Sequence, residues 1–184
     1  MNIYFDCEFT GLYKDTQLIS MGLVSDDGKE LYLEFKGINV ARQDKWIKDN
    51  VLVNTVEYGN VYWGDIVHNV MDYHCGTIDE LRGVLLNWLK QFDNVQLVSD
   101  VCHYDFVLFI DIFGSAFDLP KNVSPVCHDI NQDIAYTYGE SESIAFNMSR
   151  EEILDDMEMF ISGNKHNALY DAKVIKAIYL GCTN

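Results

Sequence analysis

Five residues of this chain have the types and spacing to do chemistry together: Asp6, Glu8, Asp105, His166 and Asp171. Asp6-Cys7-Glu8 closes an apolar run, Met1-Asn2-Ile3-Tyr4-Phe5, that reads as a first β-strand. Residues two apart on a strand share a face, so both carboxylates can approach one point. Asp105 opens the apolar segment Phe106-Val107-Leu108-Phe109-Ile110, and His166 and Asp171 begin the last amphipathic stretch. At roughly 100° per residue, two helix positions five apart diverge by about 140°. The two would not stack as neighbours, and His166, near the helix start, is expected to reach over the site from a mobile loop while Asp171 approaches from below. Four carboxylates and an imidazole at one point would hold divalent cations and move a proton, which is the equipment of phosphodiester hydrolysis. Oxygen-rich ligands favour Mg²⁺ or Mn²⁺ over zinc. Two such ions about 4 Å apart would stabilise the attacking and leaving oxygens. His166, with an ordinary pKa of roughly 6.5, could take the proton of an attacking water.

The elements that must position these residues follow from periodicity. Residues 17–25 (QLISMGLVS) and 30–36 (ELYLEFK) read as second and third strands, the latter alternating apolar and polar, joined by the Asp-Gly turn of Asp26-Asp27-Gly28-Lys29. A helix is expected within 40–52 around Trp46 and Ile47, whereas 53–76 has no clean period and reads as an ordered loop or insertion. Thr77-Ile78-Asp79-Glu80 matches a capping box and opens a helix with Leu81, Val84, Leu85, Trp88 and Leu89 on one face. A short strand over 95–99, a helix over 104–113, a last strand near 125–127 and a helix over 129–136 follow. Ser149-Arg150-Glu151-Glu152 is a second capping box, and 165–180 forms the closing helix, with Ala168, Ala172, Ile175 and Ile178 apolar. The order implies one mixed α/β domain over residues 1–184, helices covering a central sheet and the end of strand one in the middle of a cleft.

Composition narrows the function classes. With 48% hydrophobic residues in 184, the chain can bury a full core. No apolar run approaches the ~18 residues of a membrane span, and the N-terminus has no basic signal-peptide head. The reading is therefore of a cytoplasmic protein with no membrane partner. Five cysteines without CxxC spacing read as reduced thiols, and Cys7 should face away from the acids that flank it. A net charge of −16 argues against a non-specific nucleic-acid binder, and two bound divalent cations would leave the chain strongly acidic. Any nucleic-acid contact should be short-range and metal-dependent, which favours a chain end over a long duplex.

Taken in order, the motifs resemble those of the DEDDh 3′–5′ exonucleases. Tyr4-Phe5-Asp6-Cys7-Glu8-Phe9-Thr10-Gly11-Leu12 looks like the first motif, residues 99–109 (SDVCHYDFVLF) like the second and His166 to Asp171 like the third. The tyrosine variant of the superfamily wants Tyr at 167, where Asn stands. The strand over 18–24 and Trp46-Ile47-Lys48-Asp49-Asn50-Val51-Leu52 resemble a compact stand-alone exoribonuclease branch. The resemblance implies an RNase H-like mixed five-stranded sheet flanked by helices. It implies release of nucleoside 5′-monophosphates from a nucleic-acid 3′ end, RNA favoured over DNA, and a homodimer. It also implies roles: Asp6 bridging two Mg²⁺ or Mn²⁺ ions, Glu8 and Asp171 serving one, Asp105 the other. His166 would be the base, and Phe9, Thr10, Gly11 and Leu12 would line the terminal nucleotide. Phe9 stands where the family more often has Thr.

Other readings compete at particular residues. Asp100, at the end of the preceding strand, is the rival acid to Asp105. His103 and His128 read as structural or exposed, and Asp129 as a helix cap. Tyr58, Tyr62, Trp63 and Tyr73 could stack bases, although filling a loop-side core accounts for them as well. A 3′–5′ exodeoxyribonuclease with the same site, or a non-catalytic acidic binding protein, would share much of this sequence. Retention of all five chemical residues speaks against the latter.

Overall fold

The computed structural model describes residues 1–59 and 71–183, with backbone alone for Met71. A six-stranded sheet of order β4-β3-β2-β1-β5-β6 forms its centre. β1 (Asn2–Phe9) lies between β2 (Leu18–Ser25), to which it is antiparallel, and β5 (Val95–Ser99), to which it is parallel. β2 and β3 (Glu30–Phe35) form the expected hairpin, and β6 (Val123–Asp129) pairs parallel to β5 at one edge. At the other edge β4 (Met71–Gly76) runs parallel to β3, within the stretch read as a loop. The sheet therefore has one strand more than expected. Tyr62 and Trp63 lie outside the described residues.

Alternation along β1 divides the molecule into two layers. Ile3, Phe5 and Cys7 enter the larger core beneath α2 (Ile78–Leu89) and α3 (Cys102–Phe113), with Leu85, Trp88 and Phe109. Tyr4 faces the opposite side, packing with Val98, Ile130 and Ile175. Asp6 and Glu8 keep Tyr4's parity and so project toward α7 (Ala168–Thr183), the closing helix. β2 is buried along its whole length, as a strand covered on both faces must be. No helix among the described residues is long and apolar enough to cross a membrane.

Local signals match most remaining boundaries. α1 (Lys45–Asn50) starts at Asp44, whose side chain accepts from the Ile47 N–H. Before α2 the Glu80 carboxylate accepts the Thr77 N–H at 2.8 Å, completing the capping box. Asp129 caps α4 (Ile130–Tyr138), and α5 (Glu142–Asn147) and α6 (Arg150–Asp156) follow, the latter capped by Ser149. Glu34 departs from the expected outward pattern. It is fully buried, and its carboxylate accepts the N–H groups of Val56 and Glu57 at 2.7 and 2.8 Å and the Tyr73 hydroxyl at 3.1 Å. Those bonds tie the segment after α1 to the sheet. Tyr58 belongs to the same packing, donating to the Phe35 carbonyl at 2.7 Å.

The approach of α7 to the sheet depends on one glycine. Gly22 pairs across the ladder with Asp6, and a Cβ there would lie 2.4 Å from backbone atoms of Ala168 and Leu169. Only a residue without a side chain lets the first turn of α7 sit on β2. Gly22→Ala is expected to destabilise the protein by about 1–3 kcal/mol and to cut activity further than its melting temperature explains. Denaturant unfolding and a nuclease assay measure the two effects.

Candidate active site

The cleft above the β1–α7 face has a volume of about 280 Å³ and is lined by Asp6, Glu8, Asp105, His166 and Asp171 together. All five residues singled out by the motifs are thus brought to one place. Glu8, His166 and Asp171 offer ligand atoms that lie within 4.8 Å of one another. His166 Nδ1 stands 3.7 Å from Glu8 Oε1. Asp105, in the first turn of α3, is buried and accepts the Ser99 hydroxyl at 2.6 Å.

His166 reaches over the site from outside the helix, as its angular separation from Asp171 suggested, although the closing helix starts later than residue 165. α7 begins at Ala168, so His166 lies in the preceding turn, with a left-handed φ of 62°. Its N–H donates to Asp171 Oδ2 at 2.9 Å. One Asp171 oxygen therefore fixes the turn that carries the imidazole, and rotation around a common helix does not relate the two side chains.

Asp100, the alternative to Asp105, is committed elsewhere. Arg150 grips it with Nε to Oδ2 at 2.6 Å and Nη2 to Oδ1 at 2.8 Å, and Asn131 Nδ2 adds a bond at 2.9 Å. Arg150 and Lys165 also line the cleft, Lys165 pairing with Glu151 at 2.9 Å. Neither cation was legible as a site residue: Arg150 sits within a capping motif, and its partner is fifty positions away. His128 pairs with Asp133 at 2.5 Å, and His103 packs on Tyr104 with ring centroids 4.4 Å apart.

A second cavity of about 450 Å³ adjoins the first, sharing Phe9 and Tyr104. Phe9, Gly11 and Leu12 line it with Tyr13, His103 and Val107. Leu12 is 70% exposed, whereas Thr10 is buried, its hydroxyl accepting the Gln17 N–H and bonding the Tyr13 hydroxyl, each at 3.0 Å. At Gly11 a Cβ would lie 2.5 Å from the Tyr13 ring, so glycine keeps this loop folded on itself. The ladder register slips between Glu8 and Phe9, sending the chain from strand into loop beside the acids.

The acids pay electrostatically for this proximity. Burial, then Asp105 and Asp171, hold the Asp6 carboxyl well above the usual range. Burial pushes Asp105 up to about 8 against the pull of the Ser99 hydroxyl. Asp171 is also raised to about 8, by burial and then by Glu8. Glu8 in turn raises the His166 imidazole above its ordinary value.

Two acids on the central strand of a mixed sheet are completed by two from helices and by a histidine turn, and the chain that carries them is a 3′–5′ exonuclease by family. The chain belongs to the 3′–5′ exoribonuclease Rv2179c-like domain family, whose model matches residues 1–182. The 3′–5′ exoribonuclease Rv2179c of Mycobacterium tuberculosis is 24% identical over 132 residues, 72% of this chain and 73% of that protein. Among solved structures, the nuclease domain of 3′hExo, a DEDDh family member bound to rAMP, superposes with a TM-score of 0.65 at 16% identity, over 96% of this chain and 88% of that one. S. pombe Pop2p, in a form bound to Mg²⁺ and Mn²⁺, gives 0.57 at 14%, over 97% and 81%. At such identities these two likenesses are of fold.

The raised carboxyls set a pH dependence. The folded chain binds protons at Asp105 and Asp171 up to about pH 8, whereas the unfolded chain releases them near pH 4. Between these values the native state holds more protons, so stability is greatest at the acid end of the window and falls as pH rises. In EDTA the melting temperature is expected to decline from pH 5 to pH 8, and Asp105→Asn should flatten the decline. Thermal unfolding across that range checks both.

Proposed function

We propose that this chain removes nucleotides one at a time from the 3′ end of RNA, releasing nucleoside 5′-monophosphates, with Mg²⁺ or Mn²⁺ held by Asp6, Glu8, Asp105 and Asp171. The observation that carries the reading is the confinement of these four acids and His166 to one cleft. The donor set fits hard divalent cations: carboxylate oxygens predominate, and carboxyls held above their usual range by burial, with mutual repulsion added, gain most from a counter-charge. Two bound cations would supply Lewis-acid polarisation of the scissile phosphate and offset the charge developing on it.

The remaining work falls to the chain's own side chains. His166 accepts a proton from the attacking water, its basicity supported by Glu8 at 3.7 Å. Phe9 and Leu12, on the wall of the adjoining cavity, receive the terminal base, and Gly11 and Thr10 hold the loop that presents them. Lys165, at the cleft, is placed to meet substrate phosphate. RNA as substrate is supported by the family description and by the exoribonuclease name of the mycobacterial relative.

Digestion of 5′-labelled RNA and matched DNA oligonucleotides with Mn²⁺, beside an EDTA control, tests the proposal. A metal-dependent ladder shortening from the 3′ end, stronger on RNA, is expected. Asp6→Ala and His166→Ala should each slow it by about 10²–10⁴-fold. Full activity in either variant would contradict the assignment, and binding without cleavage would point to the acidic binding protein.

A further inference from the structure

We infer that Asn54 is a positioning residue for His166, acting from outside the cleft. The inference rests on the reading of His166 as the proton acceptor.

The His166 turn is intrinsically unfavourable. A non-glycine residue at φ 62° carries a steric cost, so the turn persists only where its surroundings impose it. Asn54 holds both neighbours of His166. Its Nδ2 donates to the Lys165 carbonyl at 3.0 Å, and its own carbonyl accepts Asn167 Nδ2 at 3.0 Å. These contacts span more than a hundred positions of sequence and straddle the histidine. Trp46, in α1 of the same segment, meets the imidazole edge-on, ring centroids 5.0 Å apart and planes at 74°.

The holder is itself anchored. Asn54 Nδ2 also donates to the Asn50 carbonyl at 2.7 Å, at the end of α1. Thr55 is buried, and the next two N–H groups are the ones bound by the Glu34 carboxylate. A connected path therefore runs from β3 through Glu34, the 54–57 turn and Asn54 to the backbone on either side of His166. Asn54 is not among the residues lining the cleft, so it can influence the reaction only through what it holds. Misplacing an imidazole relative to an attacking water costs rate more than substrate affinity.

The test is a double-mutant cycle on 5′-labelled RNA with Mn²⁺, measuring kcat and KM for Asn54→Ala, His166→Ala and the pair. Asn54→Ala is expected to lower kcat by about 10–100-fold, the range seen for residues that orient functional ligands, with KM nearly unchanged. In the His166→Ala background the same substitution should change kcat less than about twofold, since the group it positions is gone. An equal loss in both backgrounds, or none in the wild-type background, overturns the inference while leaving His166 as the base. A His166→Ala enzyme as fast as wild type overturns the parent reading and this one with it. If Asn54→Ala does not fold, Asn54→Leu removes the same hydrogen bonds with the volume retained and carries the cycle.

Discussion

Four acids crowd one cleft, where burial and their mutual repulsion both disfavour charge, and the remainder of the molecule is arranged around keeping them there. A carboxylate in water gains solvation that a cleft does not return. The acids therefore need a scaffold stiff enough that separation costs more than proximity. β1 provides it: it is hydrogen-bonded on both sides, and Ile3, Phe5 and Cys7 lock its far face into the larger core. Asp6 and Glu8 cannot turn away without reversing that packing. Asp105 arrives from below on α3, anchored to Ser99, and Asp171 arrives on α7 because Gly22 leaves room for its first turn.

Around this cluster the protein spends its few cations sparingly. Arg150 is consumed by Asp100, and Lys165 is paired with Glu151. Neither forms an ion pair with the four central acids. The arrangement also suits a chain of net charge −16 that handles a polyanion, because attraction is concentrated at the site rather than spread over the surface. Beside the cleft, Phe9, Leu12, Tyr104 and Val107 give the adjoining cavity an apolar wall.

Legibility from sequence followed the range of the interactions. Asp6 and Glu8 were readable because strand parity is local, and Thr77, Ser149 and Asp129 because caps are set within three residues. Asp105 was chosen over Asp100 by motif spacing, while the physical reason, the grip of Arg150, lies across the fold. The wheel angle between positions 166 and 171 excluded stacked helix neighbours, whereas the start of the helix at Ala168 and the left-handed turn at His166 depend on the Asp171 side chain and leave no local pattern. β4 escaped notice because its sequence lacks clean alternation and it pairs with β3 some forty positions earlier. Glu34 is a polar position of the alternating third strand, yet it is fully buried. Its burial depends on donors from Val56, Glu57 and Tyr73, which no local pattern reveals.

The central claim, that burial and mutual repulsion of these acids make the cleft a site for divalent cations, is tested most directly by calorimetric titration of Mn²⁺ at pH 7. Buffers of different ionisation enthalpy separate the proton flux from the binding heat. With Asp105 and Asp171 raised to about 8 in the free protein, chiefly by burial, cation binding is expected to expel protons. The account expects net proton release that is diminished in Asp105→Asn. Binding with no buffer dependence, or no binding at all, would contradict it.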